Sequence, residues 1–228
     1  MTLAEKTPKT ARPTAAAARP AEIVREYGPF PGADKVAGVT HDGRSVWAAT
    51  GARLIAFDPA SGEPTRTLDC ACDAGTAFDG TYLYQIAEAR IDKIDPATGK
   101  VVASIAAPGH GGDSGLAWAE GSLWVGQHRD RKIHQLNPET GAVVRTIESN
   151  RFVTGVSWVD GELWHATWEG DESELRRLDP NSGEVLERLE MPHGVGISGL
   201  ESDGADLFYC GGGDSGKLRA VRRPKTPA

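Results

Sequence analysis

Residues 115–147 read GLAWAEGSLWVGQHRDRKIHQLNPETGAVVRTI. Gly115 to Trp118 is a short apolar run opened by glycine, and Ala119-Glu120-Gly121 is a polar turn. Leu123 to Gly126 is a second apolar run. A polar loop from Gln127 to Arg131 leads to a third run, Lys132 to Leu136. Asn137-Pro138-Glu139-Thr140-Gly141 is a tight turn, with proline holding φ and glycine free to take positive φ. Val143 to Ile147 is the fourth run. Four short runs with no helical period, separated by turn residues, predict a four-stranded antiparallel meander.

The unit recurs along the chain. The turn returns as Asp58-Pro59-Ala60-Ser61-Gly62, Asp95-Pro96-Ala97-Thr98-Gly99, Asn137 to Gly141, and Asp179-Pro180-Asn181-Ser182-Gly183, spaced 37, 42 and 42 residues apart. The opening glycine of the first strand appears as Gly38, Gly75, Gly115, Gly155 and Gly199. Each is followed by a hydrophobic second strand holding Trp47, Tyr84, Trp124, Trp164 or Phe208. A period near forty with four strands per unit predicts an all-β protein, a β-propeller. One such unit cannot cover both its faces; packed radially, each is covered by two neighbours. Glu22 to Tyr27 reads as a fourth strand without its first three, and Lys217 to Val221 as a third strand without a fourth. Pairing the two ends closes a ring of five blades and removes open sheet edges. The expected layout is a disordered leader over 1–21, one propeller domain over 22–224, and a tail over 225–228.

Composition narrows the function classes. Charged residues at 25% and hydrophobic residues at 39% are ordinary for a soluble globular chain. A net charge of −7 argues against nucleic acid as the partner. No stretch approaches the ~18 apolar residues of a membrane span. The alanine-rich start lacks the apolar core of a secretory signal, and three cysteines do not make a disulfide framework. The expectation is a cytoplasmic monomer or weak homodimer, acting on a small-molecule or peptide ligand without nucleic acid or membrane.

Strand alternation places the loops entering first strands and those leaving second strands on one face, the top. These loops hold Cys70, Cys72, Asp73, Glu88, His110, Asp113, His128, Arg151, Glu169, His193 and Cys210. Cys70, Cys72, His110 and His193 are the candidate metal ligands, a soft sulfur and nitrogen set suited to zinc or copper. Gln85, His165 and Tyr209 share one column of the second strand, where Ala48 and Val125 stand in other blades. His165 is the first candidate for acid and base work, because imidazole titrates near neutral pH unaided. His110 and Glu169 are the other catalytic candidates. Gln85, Glu88, Trp118, His128, Arg151, Trp168 and Tyr209 are the candidate ligand-binding residues. Trp168 beside Glu169 and Asp171 makes an aromatic and acidic loop suited to an amine. Trp118 and Trp158 also read as blade core.

Blade four carries a resemblance. Phe152-Val153-Thr154-Gly155-Val156, Gly161 to Thr167, Ser173 to Asp179 and Ser182 to Val185 resemble the repeat of the plant- and bacterial-type glutamine cyclotransferases. These are five-bladed propellers, and the resemblance implies cyclisation of N-terminal glutamine. The glutamate of that family's L-Y-E-S motif is replaced here by His165, with Ala48, Gln85, Val125 and Tyr209 at the corresponding places. Leu123 to Gly141 is similar to the repeat of virginiamycin B lyase-like propellers, which implies a metal-dependent lyase or hydrolase. A non-catalytic ligand- or protein-binding propeller is the third expectation.

Overall fold

The computed structural model describes residues 16–225. Among them there are strands and no helix. The first fifteen residues of the expected leader lie outside the described residues.

Five sheets stand around an axis. Blade 1 is β3 (Gly38–His41), β4 (Val46–Ala49), β5 (Gly51–Phe57) and β6 (Pro64–Cys72). Blade 2 is β7 (Thr76–Phe78), β8 (Leu83–Ala87), β9 (Arg90–Ile94) and β10 (Val101–Ala106). Blade 3 is β11 (Asp113–Ala119), β12 (Ser122–Gln127), β13 (Lys132–Leu136) and β14 (Val143–Glu148). Blade 4 is β15 (Gly155–Val159), β16 (Glu162–Glu169), β17 (Glu172–Leu178) and β18 (Val185–Glu190). Blade 5 joins β19 (Gly199–Ser202), β20 (Leu207–Gly211) and β21 (Leu218–Arg222) to the N-terminal β2 (Ile23–Tyr27). Antiparallel pairing of Ile23 with Val221 and Tyr27 with Leu218 closes the ring, as the two incomplete ends predict. Ala18–Pro20, expected in the leader, instead forms β1, which pairs parallel to β18 on the outer edge of blade 4.

The recurring glycines mark the axis. A methyl group on Gly38 would stand 2.2 Å from the Ala74 carbonyl oxygen. On Gly75, Gly115 and Gly155 it would stand 2.4, 2.6 and 2.6 Å from the amide nitrogens of Leu116, Val156 and Leu200. On Gly199 it would reach 3.0 Å from Gly38 Cα. Each glycine therefore faces the next blade's inner strand, and the five contacts form a closed circle. No side chain fits there, which is why the opening glycine repeats.

The opposite face is built from the Asp/Asn-Pro turns. The leading side chain accepts backbone N–H groups two and three residues on, as Asn137 Oδ1 does from Glu139 and Thr140 at 2.9 and 3.0 Å. The closing glycine takes positive φ (83°, 73°, 73° and 75°) and donates its N–H to the leading carbonyl. An arginine on a fourth strand clasps the turn of the next blade. Arg25 donates to the Pro59, Ala60 and Ser61 carbonyls, Arg66 to the Pro96 carbonyl, and Arg145 to the Pro180 carbonyl at 2.7 Å.

Between blades the core is aromatic. Tyr84 stacks on Trp118 at 5.4 Å, Trp124 on Trp158 at 5.0 Å, and Trp164 meets Phe208 at 4.9 Å. Trp118 thus takes the blade-core place the sequence suggested for it.

Blade 5 departs from the expected register. Leu200 pairs with Cys210 and Glu201 with Tyr209, whereas in blade 4 Val156 pairs with His165 and Ser157 with Trp164. One extra residue in the hairpin before Leu207 shifts the strand. Cys210, not Tyr209, therefore shares the column of Gln85 and His165, and Tyr209 takes the aromatic place of Trp164. A one-residue slip moves every side chain to the other face.

Candidate functional site

The inner-strand entry loops and second-strand exits converge on the top face, as strand alternation predicts. They enclose a cavity of about 600 Å³ at the mouth of the ring. Ala37, Ala74, Ser114, Thr154 and Ser198, the residues before the five glycines, form its floor ring, one from each blade. Asp73, Asp113, His128, Arg129, Asp130 and Trp168 stand on its wall.

Asp113 begins β11 at a bulge, where the register shifts between Asp113 and Gly115. The bulge turns its carboxyl back onto its own entry loop, where it accepts the Gly109 N–H at 2.9 and 3.1 Å. Burial raises its carboxyl above the ordinary range against the lowering effect of those bonds, of Gln127 and of His110. Among the described residues it has no ion pair. Thr154 is 94% buried, and its Oγ1 has no hydrogen-bond partner among the described residues.

Trp168 ends the long strand β16 and lies on two glycines of blade 5. A methyl group on Gly196 would meet its ring at 2.5 Å, and one on Gly213 at 2.8 Å. Its Nε1 donates to the Gly170 carbonyl at 2.9 Å. Gly196 and Gly213 are therefore the seat of Trp168, and Gly213 also bridges to blade 1, where it pairs with Val36. His128 packs on Phe152 at 4.7 Å, and Arg131 covers the same ring at 4.9 Å. Desolvation lowers the His128 imidazole, so it is held neutral.

The other residues named from sequence are scattered. His165 is wholly buried in blade 4. Its Nδ1 faces the Ala166 carbonyl at 3.2 Å and its Nε2 the Ser149 hydroxyl at 3.4 Å, and burial beside Arg176 lowers it to about 4. Glu169 accepts the Phe152 N–H at 2.6 Å and pairs with Arg151 at 3.1 Å, which holds the blade 4 entry loop. His110 is exposed at positive φ on the loop whose glycines line the mouth. Gln85 is fully satisfied by Thr76 and by the Ala74, Gly75 and Ile86 carbonyls. Glu88 is exposed beside Arg90, and Tyr209 is buried against Tyr27 and His41. His193 stands exposed near Asp171 at 3.9 Å. Cys70 and Cys72 lie together in the blade 1 to blade 2 core. The structure does not gather the two cysteines with His110 and His193. Among the described residues no group of three or more His, Cys, Asp or Glu stands close enough to hold a metal ion.

Sequence reasoning missed one group altogether. Glu201 lies two residues after Gly199, so its side chain points along the same face as that glycine, toward the axis. Its carboxyl accepts Ser157 Oγ at 2.8 Å, Thr40 Oγ1 at 3.2 Å and Ser202 N–H at 2.8 Å. It thus ties blade 5 to blades 4 and 1. Burial raises it to about 7. The other four blades carry Thr40, Ala77, Ala117 and Ser157 there, so the repeat gave no hint of a carboxylate.

Comparison with known proteins supports the architecture. The family model described as outer membrane protein assembly factor BamB matches residues 87–225, more than half of the chain. No curated protein matches the sequence. A Myxococcus xanthus glutaminyl cyclase structure superposes with a TM-score of 0.74 at 17% identity, over 91% of this chain and 97% of that one. A mitotic checkpoint complex chain gives 0.56 at 12% identity, over 99% and 98%. A Kuenenia stuttgartiensis hydrazine synthase chain gives 0.50 at 17%, over 78% and 56%. At these identities the likeness is one of fold.

Proposed function

The chain belongs to the family described as outer membrane protein assembly factor BamB, and we propose that it acts on a small amine-bearing ligand at the top-face mouth. The reaction we assign is cyclisation of an N-terminal glutamine, the activity named for the Myxococcus propeller of the same fold. The observation that carries the reading is Asp113: a buried carboxylate with no ion pair among the described residues, in the wall of a 600 Å³ cavity, is one that a bound amine would pair with.

The wall chemistry agrees. Asp73, Asp113 and Asp130 with the face of Trp168 suit a cationic amine, and Arg129 offers a place for a carbonyl or carboxylate. In the reaction the α-amine, having first given its extra proton to solvent, bonds through nitrogen to the side-chain carbonyl carbon, the bond from that carbon to the amide nitrogen breaks, and ammonia leaves. One proton leaves the attacking amine and one reaches the departing nitrogen. Asp113, raised by burial and free of any ion pair among the described residues, is the group suited to take the first and return the second. His128, held neutral beside it, is the second proton carrier.

The test is ammonia release from a dipeptide beginning with glutamine. The native protein should release it, and Asp113→Asn should be slower by about a hundredfold or more. No release from the native protein removes the cyclase reading. Calorimetric titration with glutaminamide then separates a binding mouth from an unused one, and binding without turnover favours the non-catalytic platform.

A further inference from the structure

Cys70 and Cys72 take no part in the mouth, yet their placement is unlike that of the third cysteine. Both lie at the C-terminal end of strand β6 and pack into the same cluster with Trp47, Leu54 and Leu68. Regular strand residues two apart stand about 6.6 Å from Cα to Cα. That is the far end of the range a disulfide can span. Here the strand is not regular: Cys72 pairs with Gly51 and Asp69 with Arg53, so Cys70 and Ala71 bulge opposite a single residue. The bulge leaves both side chains in one cluster, two residues apart on the same strand end.

The two sulfurs differ in access. Cys72 has no exposed surface, while Cys70 is half-buried and reachable. Backbone N–H groups of Thr50, Gly51 and Arg53 face the Cys72 sulfur. Together with the neighbouring Cys70 thiol they lower Cys72, so the pair's thiolate rests on Cys72 and its proton on Cys70. Cys210 has neither feature. It is enclosed in the core between blades 4 and 5, and burial pushes it up to about 12.

We propose that Cys70 and Cys72 form a thiol–disulfide exchange site that reacts with small disulfides such as oxidised glutathione and closes to an intrachain disulfide. The Cys70 proton passes to the Cys72 thiolate, and the Cys70 thiolate so formed attacks one sulfur of the small disulfide and expels its other half as a thiolate. That thiolate takes the proton from Cys72. The Cys72 thiolate then attacks Cys70 Sγ, the new sulfur–sulfur bond forms, and the second half leaves as a thiolate. Counting the proton already lost when the thiolate formed, the protein gives up two electrons and two protons, and the small disulfide becomes two thiol equivalents.

The experiment treats the full chain with oxidised glutathione, alkylates remaining thiols after unfolding, and weighs the tryptic peptides. Thr67 to Arg90 carries both cysteines and no other. It should lose two hydrogens and take no alkyl group, while the Cys210 peptide is alkylated. Cys72→Ser should stop at glutathione attached to Cys70, and Cys70→Ser should leave Cys72 as a free thiol. A native peptide that is doubly alkylated, or that holds glutathione on Cys70 without closing, overturns the proposal.

Discussion

Two polar regions of this propeller look alike in sequence and behave oppositely in structure. One is the interior of blade 4, where Glu174, Arg176, Arg188 and His165 are packed. The other is the mouth, with Asp113, Thr154, His128 and Trp168. In blade 4 each of these four groups has a partner. Glu174 receives Arg176 at 2.6 Å and Arg188 at 2.7 Å, and Arg176 reaches Asn150 Oδ1 at 2.6 Å. Burial alone would raise Glu174, yet the hydrogen bonds from Arg188 and Arg176 leave it lowered. At the mouth Asp113 is raised and Thr154 is unpartnered among the described residues. The lesson is that chemical capability lies in what a fold leaves unsatisfied. A fully paired network is bracing.

The sharpest way to break the comparison is to cut the braced side. Glu174→Ala removes the carboxylate from the buried Arg176 and one of two from the half-buried Arg188, and should cost about 3 kcal/mol, read as a fall in thermal midpoint. An equal loss on the mouth side, from Asp113→Asn, would erase the distinction.

Next in size is pH. His165 falls from 6.5 to about 4 on folding, so its contribution is full above pH 6.5 and is lost as pH falls toward 4. Glu201 rises from 4.5 to about 7, so its contribution is full below pH 4.5 and is lost as pH rises toward 7. Each shift is worth about 3 kcal/mol, and the two slopes oppose each other across the same window. Glu201→Gln should therefore leave a protein whose stability climbs steadily from pH 4 to 7 in denaturant titrations. His165→Gln should leave one that declines. A flat profile in both variants would refute the opposed pair.

Asp113→Asn comes third. Turnover should fall about a hundredfold while the thermal midpoint stays within a degree or two of the native value, since asparagine still accepts the Gly109 N–H. The smallest effect is expected from the clasp. Arg145→Ala loses the bond to the Pro180 carbonyl, those to Gln135 Oε1 and Asn181 Oδ1, and a stack on Trp124, about 1–2 kcal/mol by chemical unfolding.

Much of the fold was legible because it is periodic. Gly115 to Ile147 repeats its turns and apolar runs, and alternation alone placed His128 and Trp168 on the face where the mouth opens. The unpaired character of Glu22 to Tyr27 foretold its pairing with β21. The site was less legible. His165 stood out because it breaks the pattern of its column, but that column faces into the packing between blades, where a polar group is paired and silent. Tyr209 was put in that column by counting ten residues from Gly199, and the longer hairpin of blade 5 made the count wrong by one. Asp113 was visible as one of many top-face residues, and nothing in its neighbours along the chain marked the bulge that buries it. Glu201 broke a pattern of small residues that had not been recognised as axial.

By itself the sequence determined what depends on neighbours a few residues apart: strand, turn, repeat length, blade number and the direction of each loop. These follow from local sterics and from the alternation of side chains along a strand. The tertiary structure decided which polar groups are satisfied. The partners of Glu174, Glu201 and Asp113 come from other strands and blades, and burial, which sets their charge, belongs to the assembled ring. Desolvation and long-range pairing have no local signature, so the same carboxylate reads alike in sequence whether the fold braces it, poises it at the mouth or seals it on the axis.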